Sequence, residues 1–113
     1  IGVQVRYLLG DAKYWVEHGT YSPLEAAARF HHRLVQIHPF PNGNGRHARI
    51  TADTYLQHCF GHDPIDWEAG ADLLHDNARR DAYIAALRAA DGHDFDPILE
   101  FVGANTQAAA QNT

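Results

Sequence analysis

Residues 38–45, with the sequence HPFPNGNG, constrain the fold of this chain more than any other segment. Two prolines and two glycines stand among these eight residues, and Pro39 also pushes the residue before it out of the helical region of backbone space. A helix therefore cannot run through the segment. Because helical patterns lie on both sides, the sequence predicts a helix, a short ordered loop and a second helix.

Apolar residues elsewhere recur at steps of three and four, which is the spacing of a buried helix face. Ser22 is expected to cap the second helix, with Pro23 at its first position and Glu25 at its third. Asp96 is expected to cap the last helix, with Pro97 at its first position. The predicted helices cover residues 5–18, 23 to about 37, about 44 to 59, 76–90, and 96 onward.

The fold class predicted from these patterns is all-α. Residues 1–5 are the one stretch that fits a strand, which would be the remnant of a β-hairpin flap. A single domain over residues 1–113 is expected from the length. The start at Ile1 and the absence of methionine predict a piece truncated at its N-terminus, and the polar tail 105–113 is expected to fray.

Composition narrows the functional classes. A net charge of −5 disfavours a strongly basic nucleic-acid binder, so no direct nucleic-acid partner is expected. No apolar run reaches the roughly 20 residues that cross a bilayer, and the single Cys59 fits a reducing compartment, so a cytoplasmic protein without a membrane partner is predicted. The histidines lack zinc-ligand spacing. Of His31 and His32, one is expected at the edge of the core and the other exposed.

The end of the central loop has the composition of an anion site. Gly43, Asn44 and Gly45 lead directly into a helix, whose first N–H groups and dipole favour negative charge. Arg46 and Arg49 follow in the first turn, where cations oppose the dipole and cost stability unless an anion binds. Guanidinium groups bind phosphate oxygens in pairs, so the segment suits a di- or triphosphate.

His38 stands at the other end of the loop and supplies a group that accepts a proton near neutral pH. A base beside an anion cradle is what attack by a hydroxyl on phosphorus requires. Two structural alternatives stay open. His38 would satisfy the last carbonyls of the preceding helix, or the arginines would be surface charges, with Arg49 paired to Asp53.

The segment HPFPNGNGRHAR, residues 38–49, resembles the Fic (Fido) family signature HxFx[D/E]GNGRxxR. Its amino-acid sequence is especially similar to that of the Fic members called mobile mystery protein B, which occur in bacterial mobile elements. The resemblance implies a Fic-type helical bundle with the motif on a central helix–loop–helix. It also implies a bacterial protein adenylyltransferase that transfers AMP from ATP, with Mg²⁺, to the hydroxyl of a Ser, Thr or Tyr side chain on a target protein.

The resemblance also assigns roles to residues. The catalytic group comprises His38, the general base, with Asn44 and Arg46, and Phe40 anchors the loop. The phosphates are held by the loop and helix residues Gly43, Asn44, Gly45, Arg46 and Arg49. Tyr83 is a candidate for stacking on the purine, with packing as the alternative.

Asn42 is the departure from the signature, since the family has Asp or Glu there to orient Mg²⁺. Asn42 is either a weak metal ligand or a turn former. A non-catalytic nucleotide-binding module and a phosphotransferase therefore remain alternatives to adenylyl transfer. The inhibitory [S/T]xxxE[G/N] helix of the family is not found in these residues, and it would then lie upstream of Ile1 or on a separate, antitoxin-like partner chain. Self-association is the alternative to such a partner.

Overall fold

A computed structural model describes residues 2–37, 43–68 and 78–103 of the chain. Those residues form five helices and no strand, which confirms the all-α prediction. The bounds predicted for the second helix are confirmed, and those of the third differ by one residue. The helices are α1 (Gly2–His18), α2 (Pro23–Ile37), α3 (Asn44–Phe60), α4 (Ala78–Asp91) and α5 (Asp96–Val102).

The N-terminal end of the described chain is helical, so the prediction of a remnant strand over residues 1–5 is wrong from Gly2 onward. Helix α1 buries Leu8, Ala12 and Trp15 on one face, and its first residues continue that helix rather than leave it. A helix satisfies its backbone hydrogen bonds within its own segment, whereas a strand needs a partner strand. The first residues of α1 can therefore be helical without hydrogen bonds from another part of the chain.

The start of α2 follows the predicted capping pattern. The Ser22 hydroxyl oxygen accepts a hydrogen bond from the backbone N–H of Glu25, with 3.4 Å between the two heavy atoms. The Glu25 carboxylate in turn accepts a hydrogen bond from Nε of Arg29, one turn further on, at 2.9 Å. The acidic side chain thus lies in the first turn of the helix, where the dipole favours negative charge.

The start of α5 differs from its prediction by one residue. Phe95, not Asp96, occupies the N-cap position, and Asp96 is the first helical residue. The Asp94 side chain accepts a hydrogen bond from the backbone N–H of Asp96 at 3.2 Å, so an aspartate two residues earlier satisfies that donor. Helix α4 is described from Ala78, and the predicted start at residue 76 lies outside the described residues.

The chain divides into two compact units, and the first, Ile1–Pro64, contains α1, α2 and α3. In this unit α2 packs mainly against α3 and also against α1. The Phe30 ring stacks on Tyr55 with 4.9 Å between centroids, and the Tyr55 hydroxyl donates to the carbonyl of Ala12 at 2.7 Å. Trp15 lies in the same core, as predicted. The buried cluster consists of Leu8, Ala12, Trp15, Ala26, Phe30, Leu34, Ala48 and Tyr55.

The second unit, Ile65–Thr113, contains α4 packed against α5. Trp67 is buried there, as predicted, in an aromatic cluster with Tyr83 and Phe101. Arg79 holds this unit together, because its guanidinium donates to the carbonyls of Trp67 at 3.0 Å and Phe101 at 3.1 Å and lies 3.6 Å from the centre of the Phe101 ring. That the whole chain is one domain stays a prediction.

None of the helices in the described part of the chain combines the length and the apolar character needed to cross a membrane.

Candidate functional site

Gly43 joins the loop to α3 in a left-handed conformation, with φ of +74°. This is a region that side chains with a Cβ rarely adopt, and it explains a glycine here on backbone grounds. A Cβ added at Gly43 would have no neighbour within 4 Å among the described residues.

The first turn of α3 keeps the properties that the sequence predicted for an anion site. Gly43 at the N-cap offers no side-chain acceptor to the first N–H groups of the helix, and the first turn contains no acidic residue. The Gly43 carbonyl accepts the N–H of His47 at 3.0 Å, which starts the regular hydrogen bonding of the helix. The dipole and the N–H groups at this end of α3 thus favour a negative ligand.

The arginines and the asparagine of the motif differ in burial. Asn44 is buried, with 8% of its surface exposed, whereas Arg46 is exposed and Arg49 is half-buried. Arg46 and Arg49 are three residues apart and lie on neighbouring positions of one helix face. Two cations thus lie on one face of α3 near its N-terminus, in a chain of net charge −5.

His31 and His32 are both buried, at 0% and 3% exposure, so the expectation that one of them is exposed is wrong. The pKa of His31 is lowered to about 3, mainly by burial, with smaller contributions from the positive charge of Arg49 and from the neighbouring His32. His31 is therefore neutral at physiological pH. A neutral imidazole adds no second positive charge beside Arg49.

His31 was not among the residues predicted for the anion site. The signal was available in the helical spacing, because His31 lies four residues after Ala27 and three before Leu34, and both are buried. A position on that face of α2 is a core position regardless of the polarity of its side chain.

Three of the predicted site residues, His38, Phe40 and Asn42, lie outside the described residues. Their roles as base, loop anchor and weak metal ligand stay predictions. The described chain gives the two ends of the loop, since α2 ends at Ile37 and α3 begins after Gly43. Gly43, Asn44, Gly45, Arg46 and Arg49 are together at the second end, on the first turns of α3.

Tyr83, the candidate for purine stacking, is 7% exposed. Its ring lies 5.5 Å from the Phe101 ring and 6.4 Å from the Trp67 ring, centroid to centroid. This is the packing alternative, and a purine would reach the face of Tyr83 only if the aromatic cluster opened.

The described residues contain no group of three or more His, Cys, Asp or Glu side chains placed to hold a metal ion. Mg²⁺ in nucleotide-dependent enzymes is commonly held by one or two protein oxygens together with substrate phosphates. Guanidinium and backbone N–H groups donate hydrogen bonds to anions and do not ligate cations, so the arginines and the N–H groups of α3 are not candidate ligands for the ion.

The Fic/DOC family matches this chain over residues 3–56, a range that includes the described anion site and the helices on both sides of the loop. The chain belongs to the Fic/DOC family through these residues. The family assignment agrees with the helix–loop–helix that the central segment predicted, and it extends the likeness back into α1.

Several animal proteins are similar to this Fic-family chain. The chain is 33% identical over 92 residues to the protein adenylyltransferase fic-1 of Caenorhabditis elegans, which covers 81% of this chain and 16% of that protein. It is 31% identical over 87 residues to the protein adenylyltransferase Fic of Aedes aegypti, covering 77% of this chain and 16% of that protein. The corresponding protein of Nematostella vectensis is 35% identical over 85 residues, with 75% and 18% covered.

The chain thus spans about a sixth of the length of the curated relatives it matches. These relatives give no support to the bacterial, mobile-element origin that the wording of the motif suggested. The likeness to mobile mystery protein B stays a prediction.

Proposed function

We propose that this chain carries the nucleotide-transferring site of a protein adenylyltransferase, which moves AMP from ATP to a hydroxyl on a target protein. The observation that carries the proposal is the first turn of α3, where the N-terminal end of the helix dipole, a left-handed Gly43 and the Arg46–Arg49 face combine. The family match and the names of the relatives, protein adenylyltransferases, support the same activity.

In the proposed reaction His38 accepts the proton of the target hydroxyl, whose oxygen attacks the α-phosphorus of ATP. The new P–O bond joins AMP to the target, and the bond to the β-phosphate oxygen breaks to release pyrophosphate. Arg46, Arg49 and the N–H groups at the start of α3 hold the phosphates and offset the negative charge that develops on them. Asn44 is proposed to contribute to that anion hole.

Mg²⁺ would supply charge neutralisation on the ATP phosphates when bound. Asn42 offers a carboxamide oxygen, which can ligate Mg²⁺ but brings no negative charge. We therefore propose that the ion depends more on the phosphates in this chain than it would with an acidic residue at position 42.

The test uses ATP labelled either at the α- or at the γ-phosphate, together with acceptor proteins in a cell extract. Label from α-labelled ATP alone, on acceptor proteins, is the expected result. The His38→Ala variant should lose about 10²- to 10⁴-fold of the rate. The His58→Ala variant changes an exposed histidine of α3 and should keep the rate of the unchanged chain.

Equal labelling by the unchanged chain and by His38→Ala would exclude His38 as the base. Transfer of the γ-label instead of the α-label would show that the enzyme is a phosphotransferase. An adduct mass of AMP on the purified product distinguishes the two reactions directly.

Asn42 favours a second candidate, a nucleotide-binding module that does not turn over. Calorimetry with ATP in the presence and absence of Mg²⁺ distinguishes this module from an enzyme. The module would bind ATP equally well without Mg²⁺ and would transfer no label to acceptor proteins. An inhibitory partner, self-association and a cytoplasmic location also remain predictions for this chain.

A further inference from the structure

A cleft between α1 and the C-terminal end of α2 lies outside the anion site. Its volume is about 220 Å³, and its walls are Gln4, Tyr7, Arg33, Gln36 and Ile37. We propose that this cleft is a docking surface for the target protein. The cleft receives one uncharged polar side chain from the polypeptide segment that carries the acceptor hydroxyl. The inference rests on the proposed function and specifies its substrate.

The position of the cleft connects it to the transfer reaction. Gln36 and Ile37 are the last two residues of α2, and His38, the proposed base, follows Ile37 directly. Consecutive Cα atoms are 3.8 Å apart, so the wall of the cleft ends one residue before the base. A polypeptide that presents its hydroxyl to His38 therefore has this cleft within reach of its flanking residues.

The size of the cleft disfavours the nucleotide as its occupant. Pockets for small molecules the size of drugs and cofactors commonly measure about 300–1,000 Å³, and the cleft is smaller than this range. A single amino-acid side chain with its peptide group is a smaller object than a nucleoside triphosphate. The cleft therefore fits a side chain next to the acceptor residue.

The chemistry of the walls favours an uncharged partner. The Gln4 and Gln36 side chains are exposed, and each amide contains both a donor and an acceptor, as a peptide group or a polar side chain requires. Tyr7 is 68% exposed and offers a ring face. Among the described wall residues Arg33 is the one cation, and it is paired with Asp11 of α1, so its charge is already balanced.

The experiment measures sequence preference on peptide arrays. Each peptide has a central Ser, Thr or Tyr, and the positions on both sides are varied through all amino acids, with transfer followed by α-labelled ATP. The variants are Gln36→Ala and Tyr7→Ala, with Gln57→Ala as the matched control, because Gln57 is exposed on α3 and is not part of the cleft. ATP affinity is measured for each by calorimetry.

The unchanged chain should prefer an uncharged polar side chain at one flanking position. Gln36→Ala and Tyr7→Ala should weaken that preference by about fivefold, the effect of one lost hydrogen bond or ring contact, with ATP affinity unchanged. Gln57→Ala should keep both properties.

Three results would overturn the inference. An unaltered preference in both variants would show that the cleft does not contact the target, and a parallel loss of ATP affinity would assign it to the nucleotide. A change from one oligomeric state to another in the variants would assign it to a contact between copies. If the unchanged chain labels no peptide and no protein, the proposed function itself fails, a result different from labelling without a cleft-dependent preference.

Discussion

Phe30 of α2 and Tyr55 of α3 stack with their ring planes 25° apart and their centroids separated by 4.9 Å. The hydroxyl of the same tyrosine donates to the carbonyl of Ala12 in α1. One side chain thus contacts both of the other helices in its unit. The pKa of Tyr55 is raised to about 12, mainly by burial and to a smaller extent by the neighbouring Cys59, so the hydroxyl keeps its proton and stays a donor.

Replacement of Tyr55 by phenylalanine should destabilise the chain by about 1 kcal/mol, because the ring stack is kept and one buried hydrogen bond is lost. The midpoint of urea unfolding measures the effect. Tyr7→Phe is the matched control, since Tyr7 is an exposed tyrosine on α1. Equal midpoints for Tyr55→Phe and the unchanged chain would mean that the bond to Ala12 does not contribute to stability.

His31 should make folding stability depend on pH. The folded chain holds the pKa of His31 at about 3, below the ordinary value of 6.5, so the unfolded chain binds the extra proton between these values. The contribution of neutral His31 to stability is therefore fully present above pH 6.5. It is lost as the pH decreases toward 3, by up to roughly tenfold in the folding equilibrium constant per pH unit. Urea unfolding at pH 7, 6 and 5 measures this slope.

The His31→Gln variant should reduce the slope, because glutamine does not titrate. His58→Gln removes an exposed histidine from α3 and should leave the slope near that of the unchanged chain. If both variants have the same slope, the acid sensitivity of the fold has another origin.

Arg79 should be required for the second unit. A change to lysine keeps the positive charge but removes the planar fork that reaches two carbonyls and the Phe101 ring, so a loss of about 1–3 kcal/mol is expected. The near-ultraviolet circular dichroism during urea unfolding, recorded in a Trp15→Phe background so that Trp67 is the tryptophan observed, reports on this unit. Arg88→Lys, an exposed position on the same helix, should behave like the unchanged chain, and an equal loss in both would contradict the role of the fork.

Arg46 and Arg49 should be needed for ATP affinity. Each change to alanine removes a cation beside the start of α3, and we expect about tenfold or more weaker binding, with a smaller effect on adenosine, which has no phosphates. Calorimetry at two salt concentrations measures both ligands. The matched control is Arg88→Ala in α4, and equal losses for ATP and adenosine would place the arginines away from the phosphates.

Asn42→Asp should lower the Mg²⁺ concentration that half-saturates adenylyl transfer, since a carboxylate adds a negative charge to the metal ligands. A Mg²⁺ titration of the transfer rate at fixed ATP provides the measurement. Asn77→Asp adds the same charge elsewhere and should leave the titration unchanged. If Asn42→Asp needs as much Mg²⁺ as the unchanged chain, residue 42 does not bind the ion.

Local signals predicted most of the helices correctly because they act within one turn. Ser22 and Pro23 determined the start of α2, and the glycine after residue 60 ended α3. The strand expected at residues 1–5 was wrong because a five-residue window is too short to distinguish a strand from the first turn of a helix.

The anion site could be predicted from the sequence because its parts are consecutive: glycine, asparagine, glycine and two arginines one turn apart. His31 and the cleft beside Ile37 could not, because each depends on the way one helix packs on another. The polarity of histidine predicted that one residue of the pair His31 and His32 is exposed. Both are buried because both lie where α2 packs within the fold.

The Phe30–Tyr55 stack lies far along both helices from the loop they support. Phe30 is seven residues before the end of α2, and Tyr55 is eleven residues after the start of α3, which at 1.5 Å per residue places the stack roughly 10 and 16 Å from the two ends of the loop. Sequence change in the loop and sequence change in the stack are therefore separable. A lineage could exchange loop residues, as at position 42, and acquire a different chemistry on the same folded support.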